Sequence, residues 1–356
     1  MDITKLITDL AAPDEADRRY AAEDLGEANS AAAVAALAAR LAVEPSRAVK
    51  EAICHALARI RDASVTPAVI ALIEADDAFV RNEAVRILGE RGADAMPALA
   101  RALGSADCDV RKFALDAISM IDSDLKDVAY GAAMGDADLN LVITAVEHAG
   151  RDNRMALRPR VEEVLAGATH PMLVAACVDA LARIGGAGSL DIAYRKLGGE
   201  GMPEFHAAAF LRAVGRLGDA AHVGALCRLV ERFPAMLADA GLDAIEAIHR
   251  RAQLTHAPPM LLAAVRAVIA NCPDPLGRYK AVRALGAFAD DEATASIREC
   301  LDSPDKMVRL AAVESVAAWA APAAADLLAG RLGVEGDEDV LAAIRDAVNE
   351  RARSAA

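Results

Sequence analysis

Seven histidines and six cysteines are the side chains best suited to bind a metal or act as a nucleophile. They are scattered, and no two cysteines have Cys-x-x-Cys spacing. His249 and His256 are close in sequence, but no third ligand is placed beside them. We also find no G-x-S-x-G, phosphate loop or dinucleotide fingerprint. The sequence therefore predicts no metal and no cofactor, and it favours a function other than catalysis.

Tyrosines and basic residues in the middle of the chain are the strongest candidates for binding. The pattern D-[VI]-A-Y occurs twice and ends at Tyr130 and Tyr194. Basic residues recur around these tyrosines, namely Arg158, Arg160, Arg195, Lys196, Arg228 and Arg232. Each tyrosine could instead be a core ring with its hydroxyl at the rim, and each basic residue could belong to a solvated face. Their recurrence together predicts a basic strip that binds a protein partner.

A helix pair in the segment Val80–Gly104 shows which elements must position these residues. Apolar or small residues at Val80, Ala84 and Leu88 form one buried stripe, which predicts a helix over 80–90. A second stripe predicts a helix over 94–103, and glycines follow both helices. Such a pair has two apolar faces and buries both only when it is stacked between copies of itself.

Copies of this pair recur along the whole chain. Positions equivalent to Val80 are Asp17, Val49, Val110, Leu141, Leu173, His206, Leu237, Gly277, Val308 and Val340. Nine of the ten intervals between these register positions are 30 to 33 residues, and one is 40. The residue eight positions after each register position is apolar, which predicts a continuous core seam. Eight units have Asp or Ser three residues before the register position, where it would cap the helix.

The pattern D-x-x-V-R followed by A-x-x-x-L-G, as in Asp77–Gly89, resembles the HEAT-like repeats grouped with phycobilisome lyases. The resemblance covers nearly the whole chain and implies an all-α, right-handed α-solenoid. We expect one array over 1–356, with an N-terminal cap helix over 1–11. About ten two-helix repeats should follow over 14–332, with a C-terminal cap helix over 337–352.

Basic residues directly after the register positions, Arg18, Lys50, Arg81 and Arg111, predict a ladder of ion pairs with the capping acids of neighbouring repeats. Repeats five to eight carry Val142, Val174, Ala207 and Ala238 at this position, so the ladder should break there. Arg278 and Arg309 restore it. The 40-residue interval predicts a loop over 250–259, and Arg250, Arg251 and His256 are candidate binding residues within it.

Composition limits the classes of partner. The formal net charge of −14 disfavours nucleic acid. No run of about 18 apolar residues is present, so we expect no membrane insertion. No signal peptide is visible, and the unpaired spacing of the cysteines is typical of reduced thiols in a cytoplasmic protein.

These features together predict a non-catalytic scaffold or adaptor that holds a protein partner on its concave face, centred on repeats five to eight. Two alternatives stay open. The resemblance implies a bilin lyase-like subunit that transfers a chromophore, with Tyr130, Tyr194 and the arginines on the bilin propionates. The other alternative is a signalling regulator that docks on a response-regulator-type partner.

Overall fold

The computed structural model describes residues 2–252, 254, 256–288, 291–319 and 323–355. Within them the chain forms 22 α-helices and no β-strand. Helix α1 (Ile3–Asp9) precedes ten helix pairs, and α22 (Glu338–Ala355) follows them. The prediction of an all-α chain of ten two-helix repeats with a helix at each end is confirmed.

The first helix of each pair is at least as long as the second. The first helices are α2 (Glu15–Leu25), α4 (Arg47–Arg59), α6 (Ala78–Glu90), α8 (Cys108–Ser119), α10 (Leu139–Arg151), α12 (Pro171–Ile184), α14 (Glu204–Leu217), α16 (Pro234–Ala252), α18 (Pro275–Gly286) and α20 (Lys306–Ala318). The second helices are mostly shorter and are α3 (Ala31–Leu41), α5 (Val65–Ile70), α7 (Met96–Ala102), α9 (Lys126–Ala133), α11 (Arg158–Gly167), α13 (Ala187–Lys196), α15 (Val223–Arg232), α17 (Pro259–Asn271), α19 (Asp291–Cys300) and α21 (Ala323–Arg331).

The predicted register is confirmed. Each register position is the third residue of its helix, except Leu237, which is the fourth residue of α16. The residues eight positions later are buried in every pair, and only Val348 of α22 is half-buried. All eight predicted capping side chains accept a backbone N–H at the start of their helix. The starts of these eight helices and the buried face of the first helix of each pair therefore follow from local sequence.

The chain divides into two compact units, Met1–Val161 and Glu162–Ala356. In the first unit, α2 packs on α4, α4 on α6, α6 on α8 and α8 on α10, so the first helices form one layer. In the second unit, α12, α14, α16, α18, α20 and α22 follow one another in the same way. Small residues four positions after the register positions, such as Ala84 and Ala281, are buried and let these helices approach closely.

Three of the four basic residues predicted to form the ladder make ion pairs in the first unit, and their acids lie at two positions. Arg81 is the exception, because it donates to the backbone carbonyls of Ala75 and Asp76. Lys50 pairs with the capping Asp77 of the next helix. Arg18 instead donates to both carboxylate oxygens of Glu44, at 3.0 and 3.1 Å, and Glu44 stands two residues before a cap. Arg111 contacts Asp136 in the same way, at 2.8 and 2.9 Å. These bridges tie consecutive repeats together at the turns between them.

The second unit carries the ladder only near its end. Arg278 contacts the capping Asp305 at 2.6 Å, and Arg309 donates to both oxygens of Glu335 at 3.0 Å. Repeats five to eight have apolar, buried residues in place of the base, namely Val142, Val174, Ala207 and Ala238. These side chains cannot form ion pairs, so the ladder is interrupted there as predicted.

The predicted loop over 250–259 is wrong for its first residues. Arg250 and Arg251 lie in the last turn of α16, which has 19 residues where the other first helices of pairs have 11 to 14. Helix α17 is also long, with 13 residues. Residues 253–258 connect the two helices, and 253 and 255 lie outside the described residues. The insertion thus mainly lengthens helices, because its first part, Arg-Arg-Ala, favours a helix.

Candidate functional site

Tyr130 belongs to the core of the first unit and is not a surface residue. Its side chain is fully buried, and its hydroxyl donates to Asp152 at 2.8 Å. Burial and the neighbouring Asp152 carboxylate both raise the pKa of Tyr130. The core interpretation of this tyrosine is therefore correct, and its ring is not available to a partner or a pigment.

The carboxylate of Asp152 joins the surroundings of Tyr130 into one polar cluster. Lys126 donates to it at 2.8 Å. Burial alone would raise the pKa of Asp152, but the hydrogen bonds from Lys126 and Tyr130 outweigh burial and lower it. Nearby, Arg154 contacts Asp127 at 2.6 Å. These contacts fasten α9 to the turn after α10, so the cluster has a structural role.

The predicted basic strip includes residues from both units and from opposite ends of the second helices. Arg158 and Arg160 lie in the first turn of α11 and belong to the first unit. Arg195 and Lys196 lie in the last turn of α13, and Arg232 ends α15, all three in the second unit. The recurrence of basic residues in the sequence was the basis for predicting one strip, but recurrence alone does not show which end of a helix each residue occupies.

Three basic residues in the second unit donate to backbone carbonyls. Arg195 and Lys196 donate to the carbonyls of Asp191 and Ala166, at 3.2 and 2.9 Å. Arg232 donates to the carbonyl of Met202 at 3.4 Å, and Arg228 contacts the sulfur of Met260 at 3.0 Å. Tyr194 is half-buried, with its ring centroid 5.4 Å from that of Phe210.

Residues from the predicted loop do not form a site together. Arg251 donates to the carbonyls of Gly215 and Gly218, both at 2.7 Å, and so holds the end of α14. Arg250 is exposed, 3.7 Å from Glu246, and His256 is exposed as well. Within the described ranges, no three His, Cys, Asp or Glu side chains are grouped as a metal would require.

A groove in the first unit is the feature that sequence reasoning missed. It lies along the second helices α5, α7 and α9, which we call the second-helix groove. Two adjoining cavities of about 650 and 500 Å³ form it, and Ala93 and Pro97 line both. Leu125, the residue before α9, and Val128, in the first turn of α9, line the second cavity with 55% and 71% of their surface exposed. Contiguous exposed apolar surface usually marks a binding site.

The two ends of the groove differ in polarity. The 500 Å³ cavity between α7 and α9 is lined by apolar residues and a glycine, without a charged side chain. The 650 Å³ cavity between α5 and α7 is lined by Arg61, Arg91, Arg101 and one acid, Asp94. Arg91 donates to the backbone carbonyls of Ile60 and Asp62 and so shapes the wall. Arg61 and Arg101 are exposed, and neither forms an ion pair with a described residue.

One sequence signal could have revealed this groove. Helix α9 has apolar or small residues on two faces: Ala129, Tyr130 and Ala133 are buried, whereas Val128 and Ala132 are exposed. A helix that needs only one buried face has polar residues on the other. Tyr130 lies on the buried face of α9, whereas Val128 lies on its exposed face and lines the groove.

Comparison with known families identifies the repeats. The family model of HEAT repeats matches residues 3–89 and 262–349. Both stretches are HEAT repeats, and they include the helix pairs that carry the ion-pair ladder at Lys50–Asp77 and Arg309–Glu335. No curated protein matches the chain.

Three solved structures with a similar fold contain importin beta, Kap95p and Kap121p. Importin beta is 13% identical, with a TM-score of 0.52 over 97% of this chain. Kap95p, solved with RanGDP, is 17% identical, with a TM-score of 0.60 over 98%. Kap121p bound to Ste12p is 12% identical, with a TM-score of 0.50 over 96%. The chain spans 62%, 56% and 48% of those three chains. Because the identities are low, the likeness concerns the fold, which is a HEAT-type solenoid.

Proposed function

We propose that this chain, whose two ends are HEAT repeats, is a non-catalytic scaffold that binds a protein partner along its second helices. The observation that carries the proposal is the second-helix groove, where the exposed side chains of Leu125 and Val128 line the same apolar cavity. Exposed apolar side chains cost solubility, and a partner that covers them gains the hydrophobic free energy.

Fold likeness supports the same class of function. Among the similar structures, Kap121p is bound to another protein, Ste12p, and Kap95p acts on RanGDP. Stacked helix pairs present long rows of side chains, which suit extended protein partners. The groove in repeats two to four is the strongest binding surface in the first unit, and the half-exposed Tyr194 with Arg195 and Lys196 offers a second contact in the other unit.

We place this function in the cytoplasm. All six cysteines are free thiols, and Cys54, Cys177, Cys227 and Cys272 are buried. Buried thiols of this kind behave as small apolar side chains, and cysteines without disulfides are typical of a reducing compartment. Separately, no helix among the described residues has the length and hydrophobicity to cross a membrane.

Val128→Glu tests the proposal with a matched control. Val128 is 71% exposed in the groove, and Val43, in the turn after α3, is 70% exposed. Tagged wild type, Val128→Glu and Val43→Glu would each be cross-linked in native cytosol and the attached proteins quantified by mass spectrometry. We expect at least one protein to be lost with Val128→Glu and kept with Val43→Glu. If both variants retain every cross-linked protein of the wild type, the groove is not the binding surface.

A further inference from the structure

We propose that the second-helix groove binds an acidic amphipathic helix, with carboxylates at the α5 end and large apolar side chains at the α9 end. This inference rests on the proposed function and names the chemistry of the partner. The polarity of the groove carries it, because the charged residues lie in one cavity and the other cavity has none.

Charge selects the acidic partner at the α5 end. The charged residues that line this cavity are three arginines and one aspartate, although the whole chain has a net charge of −14. Exposed Arg61 and Arg101 have no ion pair among the described residues, so their guanidinium groups remain available to carboxylates. Arginine binds carboxylates with two parallel hydrogen bonds, which fixes the orientation of the ligand as well as its charge.

Shape and composition favour a peptide over a nucleic acid. None of the side chains that line either cavity is aromatic, whereas single-stranded nucleic acid binds through bases stacked on aromatic rings. The groove crosses three neighbouring second helices, or about 20 Å at a spacing of about 10 Å per helix. A helix of about 13 residues spans that distance. An apolar face of such a helix would cover Leu125 and Val128.

Charge-swapped peptides test this inference. Two fluorescein-labelled 16-residue peptides would share the same Leu and Phe positions at one end and differ only in four Glu or four Lys at the other end. Fluorescence anisotropy would give the affinity of the wild type for each. We expect the wild type to prefer the Glu peptide, and Arg61→Glu/Arg101→Glu to lose about tenfold of that affinity and prefer the Lys peptide.

A control variant separates a local effect from a change in net charge. Arg47→Glu/Arg59→Glu alters the charge equally on α4, a first helix, at two exposed arginines. We expect it to keep the preference for the Glu peptide. An equal loss in both double variants, or a wild type that prefers the Lys peptide or binds neither, would overturn the inference.

Failure of this inference is distinguishable from failure of the proposed function. If Val128→Glu removes a cross-linked partner but reversal of Arg61 and Arg101 leaves peptide preference unchanged, the partner is not acidic and the scaffold stands. Displacement of the Glu peptide by an equal concentration of a 16-nucleotide single strand would overturn the inference in favour of a phosphate ligand.

Discussion

Substitution of Leu88 by Ala measures how much one side chain of the core seam stabilises a repeat. Leu88 is fully buried on α6, which packs on both α4 and α8. Removing about three buried carbons at about 0.8 kcal/mol each costs about 2.4 kcal/mol. The cavity that remains raises the total towards 5 kcal/mol when the neighbours do not collapse into it. We expect the free energy of unfolding to fall by about 2.5 to 5 kcal/mol.

Urea unfolding followed by circular dichroism gives this value, and hydrogen exchange over α6 and α8 checks it, because stacked repeats need not unfold in one step. Leu125→Ala is the matched control, since the same atoms are removed at a site that is 55% exposed. It should change stability by less than about 0.5 kcal/mol. A change below about 0.5 kcal/mol for Leu88→Ala would refute the register on which the repeat description depends.

Three further outcomes follow from buried polar groups and thiols. Burial raises the pKa of Glu44, but the hydrogen bond from Arg18 lowers it, and the net shift is downward from 4.5. Stability should therefore fall as the pH drops through and below about 4.5, where Glu44 becomes protonated. Glu44→Gln should be less stable at neutral pH and should flatten that fall in acid-unfolding curves. Tyr130→Phe should cost about 1 to 2 kcal/mol in urea unfolding, because a buried hydrogen bond to a carboxylate is lost. A thiol reagent at neutral pH should label exposed Cys108 while Cys54, buried with its pKa raised to about 12, stays unmodified until unfolding.

Local sequence predicted the repeats because their signals act over a few residues. A capping Asp fixes where a helix begins, and the apolar residues at the register position and four and eight positions later fix which face it buries. Asp77, Val80, Ala84 and Leu88 show this for α6. The 40-residue interval misled the prediction because an insertion lengthens the interval equally whether it forms a loop or extends a helix. Here it extends α16.

The proposed binding surface was harder to predict because the groove is assembled from three repeats. Pro67, Pro97 and Val128 are about 30 residues apart and come together only when α5, α7 and α9 are neighbours. The predicted strip from Arg158 to Arg232 depended on basic residues, which stand out in an acidic sequence, and these residues belong to both units. Tyr130 misled for a related reason, since a rare aromatic side chain in this chain fills the core and donates to Asp152.

Hydrogen exchange of the chain with and without its cross-linked partner tests the central claim, binding along the second helices, most directly. We expect slower exchange in peptides that cover Val65–Ile70, Met96–Ala102 and Lys126–Ala133, and unchanged exchange in the first helices α4 and α6. Protection confined to the first helices, with none on α5, α7 or α9, would contradict the claim.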